Sequence, residues 1–196
     1  VVNHEYTNAE IMFPNWATIG KDGEGKDKVN MGEFTKELVD IEMAAHGGTV
    51  IEIKREGGKW SPVLDGKMNR RITLDTEMMM TGPAAGHARV KTNADPSGMK
   101  VLGTVNNCAG AVTPWGTWLM AEENFNGYFM GEMPETAPEA ANYKRYGLPA
   151  GFYNWGKFHD RFDVTKEPNE ANRFGWVVEV DPMDPNSVPK KRTALG

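Results

Sequence analysis

The chain of 196 residues holds a single cysteine, Cys108, so it has no intramolecular disulfide framework and no bridge count from which to read a redox compartment. Its apolar runs extend over only a few residues, far short of the roughly twenty an α-helix needs to cross a bilayer, so no membrane span is expected. Positive charge is in deficit: 22 Lys and Arg stand against 27 Asp and Glu, a formal net charge of -5. Phosphate backbones are neutralised by clustered Lys and Arg, which argues against nucleic acid as a partner. There is no Walker sequence and no G-x-G-x-x-G, which leaves a phosphate-binding glycine loop unsupported. The four histidines show neither H-x-x-x-H nor H-E-x-x-H spacing, which argues against a zincin-like centre. An initiator Met and a signal peptide are also absent. The chain opens on Val1 to Tyr6, which already reads as a strand, and stops at Lys191 to Gly196, where another strand is expected. It therefore reads as a piece of a longer polypeptide.

What is present is material for a packed core. The chain is 39% hydrophobic and 10% aromatic with six Trp, and its 22 Gly and 12 Pro supply turns. Alternating apolar positions predict strands at Thr49 to Lys54, Trp60 to Leu64, Gly116 to Ala121 and Gly175 to Val180. A helix is predicted from about Gly32 to Ala45, with Phe34, Leu38, Ile41 and Ala45 near one face and Gly47-Gly48 stopping it. Pro138 to Tyr146 reads as a second, short helix inside a long insertion from Asn124 to Asn172.

A weak internal repeat underlies this pattern. Val2 to Asn8 can be laid over Met120 to Asn126, which matches Glu5 with Glu123, and each segment precedes an excursion and then a hairpin. Units of about four antiparallel strands build propeller blades, with each first strand lining a central channel. On that reading the fold is all-β, a partial β-propeller of about two blades with long, partly helical insertions, and residues 1–196 are a fragment of one domain. The competing architecture is a β-sandwich.

Three groups of residues invite a chemical reading. Cys108 lies in the run Gly103 to Thr117, dense in small residues that let a backbone approach a ligand closely. It reads as a small buried hydrophobe or as a metal ligand, and less well as a nucleophile, because no His stands in a familiar local arrangement with it. Glu122 and Glu123 follow an apolar strand, where adjacent side chains point to opposite faces, so one of the two can serve a given site. Glu123 is the choice, since the repeat pairs it with Glu5. Carboxylates suit hard cations and a thiolate suits a transition metal, so a mixed set points to more than one metal type. His4 alternates away from Glu5, His87 and Arg173 read as structural, and Met78-Met79-Met80 as core or loop filling.

Asn3 to Asn8 with Met12-Phe13-Pro14, the run TVNNCAGAVTPWGT from Thr104 to Thr117, Ala121 to Phe125, and Glu167 to Pro182 together resemble the PhoX family of alkaline phosphatases. The resemblance runs over essentially the whole chain, with Ala111 standing where the family run leads one to expect a second Gly. It implies a β-propeller enzyme, periplasmic or secreted, that holds Fe3+ and Ca2+ and hydrolyses small-molecule phosphate esters to inorganic phosphate. Carried over by residue, it makes Cys108 an iron ligand and Glu5 and Glu123 carboxylate ligands of the cluster. Its partner would be the remainder of the same polypeptide, which would complete the site. The alternative is a calcium-binding propeller of other activity, lactonase-like or without turnover, and a third reading is an interaction propeller with an inert Cys108.

Overall fold

The structure, a computed structural model, describes residues 2–5, 17–21, 23–31, 35–153 and 155–196; the side chains of 2–5, 17–21 and 27–31 lie outside that description. The first strands are β1 (Val2–Glu5), β2 (Ala17–Lys21), β3 (Asp27–Met31), β4 (Gly47–Val50), β5 (Ile53–Glu56) and β6 (Lys59–Pro62). They are followed by β7 (Arg70–Ile72), β8 (Glu77–Thr81), β9 (Lys100–Leu102), β10 (Asn107–Val112), β11 (Trp118–Glu122), β12 (Val177–Val180) and β13 (Lys190–Arg192). Two α-helices are described, α1 (Lys36–Ala45) and α2 (Ala140–Tyr146), besides several short 3-10 turns.

The strands sort into two principal sheets. One has the order β1-β4-β7, antiparallel throughout, and the other the order β10-β11-β12-β13-β8-β9. Within the second, β11-β12-β13 repeats the antiparallel arrangement of the first, and β13 then joins β8 in parallel, Lys191 opposite Met80. β2 with β3 and β5 with β6 form separate hairpins. The described residues do not close a ring.

Burial follows the period of two. Met78 and Met80 of β8 are fully enclosed while Met79 between them is exposed, so the methionine triplet is core on one face. Met120, Val178 and Val180 continue that core through β11 and β12. The insertion adds an aromatic layer in which Trp155, Phe129 and Phe162 are wholly buried, the last two with centroids 5.3 Å apart. Enclosing each such side chain is worth about 1.5–3 kcal/mol relative to leaving it in water.

Three predicted elements need correction. The strand expected over Thr49 to Lys54 is broken into β4 and β5, because Glu52 turns aside: its N–H donates to Asn69 Oδ1 (2.7 Å) and its Oε1 accepts from Met68 N–H (2.7 Å). The predicted strand from Trp60 ends at Pro62, and Leu64 stands in an exposed turn. The helix begins later than expected, at Lys36, where Thr35 Oγ1 caps it by accepting from Leu38 N–H (3.2 Å). Gly32 to Phe34 lie outside the described residues. The face α1 buries is also different: Val39, Glu42 and Met43 point inward, and Ile41 is exposed.

Candidate active site

β11 ends on the two adjacent carboxylates, and the alternation of a strand sends them apart. Glu122 turns inward. Its Oε1 accepts from Lys191 Nζ (2.8 Å) and from Val105 N–H (3.3 Å), and its Oε2 accepts from Trp176 N–H (3.1 Å). Lys191 is itself fully buried, donates to Arg173 O (2.9 Å) and sits 3.9 Å from the Phe174 ring centroid; desolvation pulls it down to about 8. Glu122 is thus consumed by structure. Glu123 faces solvent, and its N–H donates to Asn106 O (3.1 Å). No Lys or Arg pairs with Glu123 among the described residues.

Cys108 is exposed, so the reading of it as a small buried hydrophobe is corrected. The cause is local. Between β10 and β11 the register passes from Asn107 opposite Glu122 to Gly110 opposite Met120, so Cys108 and Ala109 share one partner position in a bulge. Bulges re-aim a side chain, and this one brings the thiol to Glu123. The Glu123 charge, then burial, then a hydrogen bond between thiol and carboxylate hold Cys108 above its ordinary pKa. Asn106 and Asn124 flank the pair, each with the left-handed φ of 46°.

The small residues around Cys108 have packing reasons. A Cβ on Gly110 would lie 2.8 Å from the Trp118 ring, and one on Gly103 would lie 2.1 Å from Leu74 O. The Thr-Pro-Trp-Gly-Thr run forms the turn into β11, closed by Thr113 N–H donating to Thr117 O (2.8 Å). Trp115 Nε1 and Thr117 Oγ1 both donate to Glu179 Oε1, at 3.0 and 2.6 Å. Burial tends to raise Glu179, but these bonds and Arg192 outweigh it and hold the carboxyl at about 2. That part of the motif builds scaffold.

Glu5 is the last residue of β1, opposite Gly47, and β1 lies against β10. The Glu5 and His4 side chains fall outside the described residues, as do Met12 to Pro14. One residue before Gly47, His46 Nδ1 accepts from Asn106 N–H (3.0 Å). The backbones of Glu5, Asn106 and Glu123 are therefore tied to one region through Gly47 and His46. Gly47 needs to be glycine there, with φ of +115° and a Cβ position 1.8 Å from Ile72 O.

His46 and Glu42 were missed in the sequence. Both are fully buried, and Trp155 Nε1 donates to Glu42 Oε2 (2.7 Å). The signal was the spacing Val39, Glu42, Met43, His46, a helical face with two polar members. His87 caps a 3-10 turn by accepting from Arg89 N–H (3.2 Å). Arg173 is buried, donates to Val90 O (3.0 Å) and pairs with Asp95 and Glu170. Both therefore act in structure.

Cys108 and Glu123 offer one sulfur and two oxygen donors to the same exposed space, a set suited to a cation. Among the described residues no three His, Cys, Asp or Glu side chains are grouped to hold an ion. Also among them, no helix is long and apolar enough to cross a membrane.

Comparison with known proteins bears on this site. The profile of the family described as alkaline phosphatase PhoX matches residues 1–196. The solved structure of Pseudomonas fluorescens PhoX in complex with vanadate, a transition state analogue, is similar at 44% identity and a TM-score of 0.81. The match covers 99% of this chain and 31% of that one, so the chain spans about a third of its neighbour's length. No curated protein matches.

Proposed function

The chain belongs to the PhoX family of alkaline phosphatases, and we propose that it contributes part of a metal-dependent centre that hydrolyses phosphate monoesters and releases inorganic phosphate. The observation that carries this reading is the exposed Cys108 thiol set against the Glu123 carboxylate, which has no Lys or Arg partner among the described residues. The vanadate held by the Pseudomonas fluorescens protein as a transition state analogue supports a reaction at phosphorus.

In this reading Cys108 holds Fe3+ through its thiolate, and Glu123 and Glu5 supply carboxylate oxygens to Fe3+ and Ca2+. When bound, these cations would neutralise charge on the phosphoryl oxygens and generate an oxygen nucleophile near neutral pH. The chain's own part is placement. The bulge at Cys108 presents the thiol outward, and the Lys191–Glu122 pair fixes the end of β11 from which Glu123 projects. The excess of acid over base is then compatible with an anionic substrate, because the carboxylates at the site are turned to holding cations. The remaining donors and the phosphate-binding groups come from the rest of the polypeptide, the two sheets are blades of a propeller, and the enzyme works in the periplasm or outside the cell.

The test is metal analysis and phosphatase assay on the complete natural protein that carries this sequence. Cys108→Ala should abolish both bound iron and activity. Glu123→Gln should weaken metal retention by about tenfold or more. Wild-type iron content in Cys108→Ala would remove the thiolate from the site.

A further inference from the structure

Behind Cys108 and Glu123 lies a buried assembly to which the phosphatase reading gives no task. His46 is wholly enclosed and edge-on to two rings: Tyr128, with centroids 5.0 Å apart and planes at 88°, and Trp155, at 5.4 Å and 73°. Those rings pack against each other at 4.3 Å, and Trp155 is tethered through Nε1 to Glu42, one turn before His46 at the end of α1. An imidazole so confined has its orientation set by packing. Its Nδ1 accepts the Asn106 N–H at 3.0 Å, which makes this nitrogen the unprotonated one.

The donor belongs to a residue in the left-handed region, which a side chain other than glycine keeps when its surroundings over-determine it. Asn106 is held from both sides. His46 takes its N–H, and its carbonyl accepts from Glu123 N–H at 3.1 Å. Cys108 follows two residues later. The peptide groups of Asn106 thus couple the rigid imidazole to both donors of the site.

We propose that His46 is a positioning residue: through Asn106 it sets the direction of the Cys108 thiol relative to Glu123. This rests on the reading of those two residues as ligands, and second-sphere partners of this kind orient the groups that hold a metal. The essential atom is an acceptor at the Nδ1 position. The carbonyl oxygen of Asn reaches that position, whereas that of Gln reaches toward the place of Nε2.

The experiment compares His46→Asn, His46→Gln and His46→Phe in the complete natural protein. Two readouts are taken: the rate at which iodoacetamide alkylates Cys108 after chelator treatment, and iron retained in the untreated enzyme with its kcat and KM. His46→Asn should stay within about twofold of wild type, while Gln and Phe should release the thiol for alkylation severalfold faster and weaken iron retention by about 10–100-fold. The loss should appear in kcat with little change in KM. Equal behaviour of the Asn and Gln variants would overturn the proposal, even where the Phe variant fails to fold. If Cys108→Ala keeps its iron and activity, the ligand reading falls, and the alkylation rates still report whether His46 holds the turn.

Discussion

Lys191 is an ammonium with no water around it. Its charge is met by Glu122 at 2.8 Å, the Arg173 carbonyl at 2.9 Å and the face of Phe174. Such a pair adds little over a well-packed apolar substitute, but removing one member leaves the other charged and unpaired in the interior. Lys191→Met is therefore expected to destabilise the protein by about 3–5 kcal/mol, and the double replacement Lys191→Met with Glu122→Leu by clearly less. Urea unfolding of the three proteins checks this, and a single variant within experimental error of wild type would refute it. This residue also marks where sequence reading stops. Strand alternation separates Glu122 from Glu123 at once, but the lysine that consumes Glu122 lies 69 positions away, and nothing local announces it. Cys108 poses the same difficulty, since one residue of bulge decides whether the thiol faces inward or out.

The helix α1 carries two ionisable groups on its buried face with opposite responses to pH. Burial raises Glu42 from 4.5 to about 7, against the pull of its bond from Trp155, and lowers His46 from 6.5 to about 3. For Glu42 the unfolded chain ionises first, so its contribution to stability is complete below pH 4.5 and is lost as pH rises through about 7. For His46 the unfolded chain protonates first, so stability is complete above pH 6.5 and is lost as pH falls toward about 3. Between pH 4.5 and 6.5 the two slopes oppose each other. Glu42→Gln keeps a carbonyl to accept from Trp155 and removes one slope. Relative to wild type, its stability should rise by about 3 kcal/mol between pH 4.5 and 8. Denaturation midpoints at the two pH values measure this, and a constant difference would contradict the burial account. The helical period predicts this helix and its stop at Gly47-Gly48, yet the face it buries is a different one. Periodicity alone puts Ile41 in the core and gives no reason to single out Glu42 and His46, because the aromatic pocket that shelters them comes from Tyr128 and Trp155 in a distant insertion.

At the scale of the whole molecule, stability is distributed unevenly. The sheet β10-β11-β12-β13-β8-β9 brings together strands more than a hundred positions apart, as where Met79 N–H donates to Pro189 O (2.9 Å) and Thr193 Oγ1 to Thr81 O (2.7 Å). The alternation in β11 and β12 was readable because those strands bury one face on a common core, whereas the first hairpin of the repeat was not, since β1 pairs with β4 and β4 with β7 while β5–β6 stands apart. The parallel junction of β13 with β8 was not readable, because it joins residues 110 positions apart, such as Thr81 and Lys191, rather than following from local pattern. The hairpin β5–β6 lies at the other extreme. Its strands bury almost nothing, and Trp60 is exposed with Arg55 stacked 5.9 Å from its centroid. Hydrogen bonds without buried apolar area open locally at little cost, whereas the core strands open when the whole unit unfolds. Native-state hydrogen exchange should therefore place the amides of Met80, Met120 and Val178 in one slow class that moves together when Lys191→Met lowers global stability. The amides of Glu56 and Lys59, which face each other in a bonded pair of the hairpin, should exchange at least about a hundredfold faster and stay unaffected by that substitution. Exchange of the hairpin as slow as the core, or its acceleration in Lys191→Met, would mean that β5–β6 belongs to the same cooperative unit.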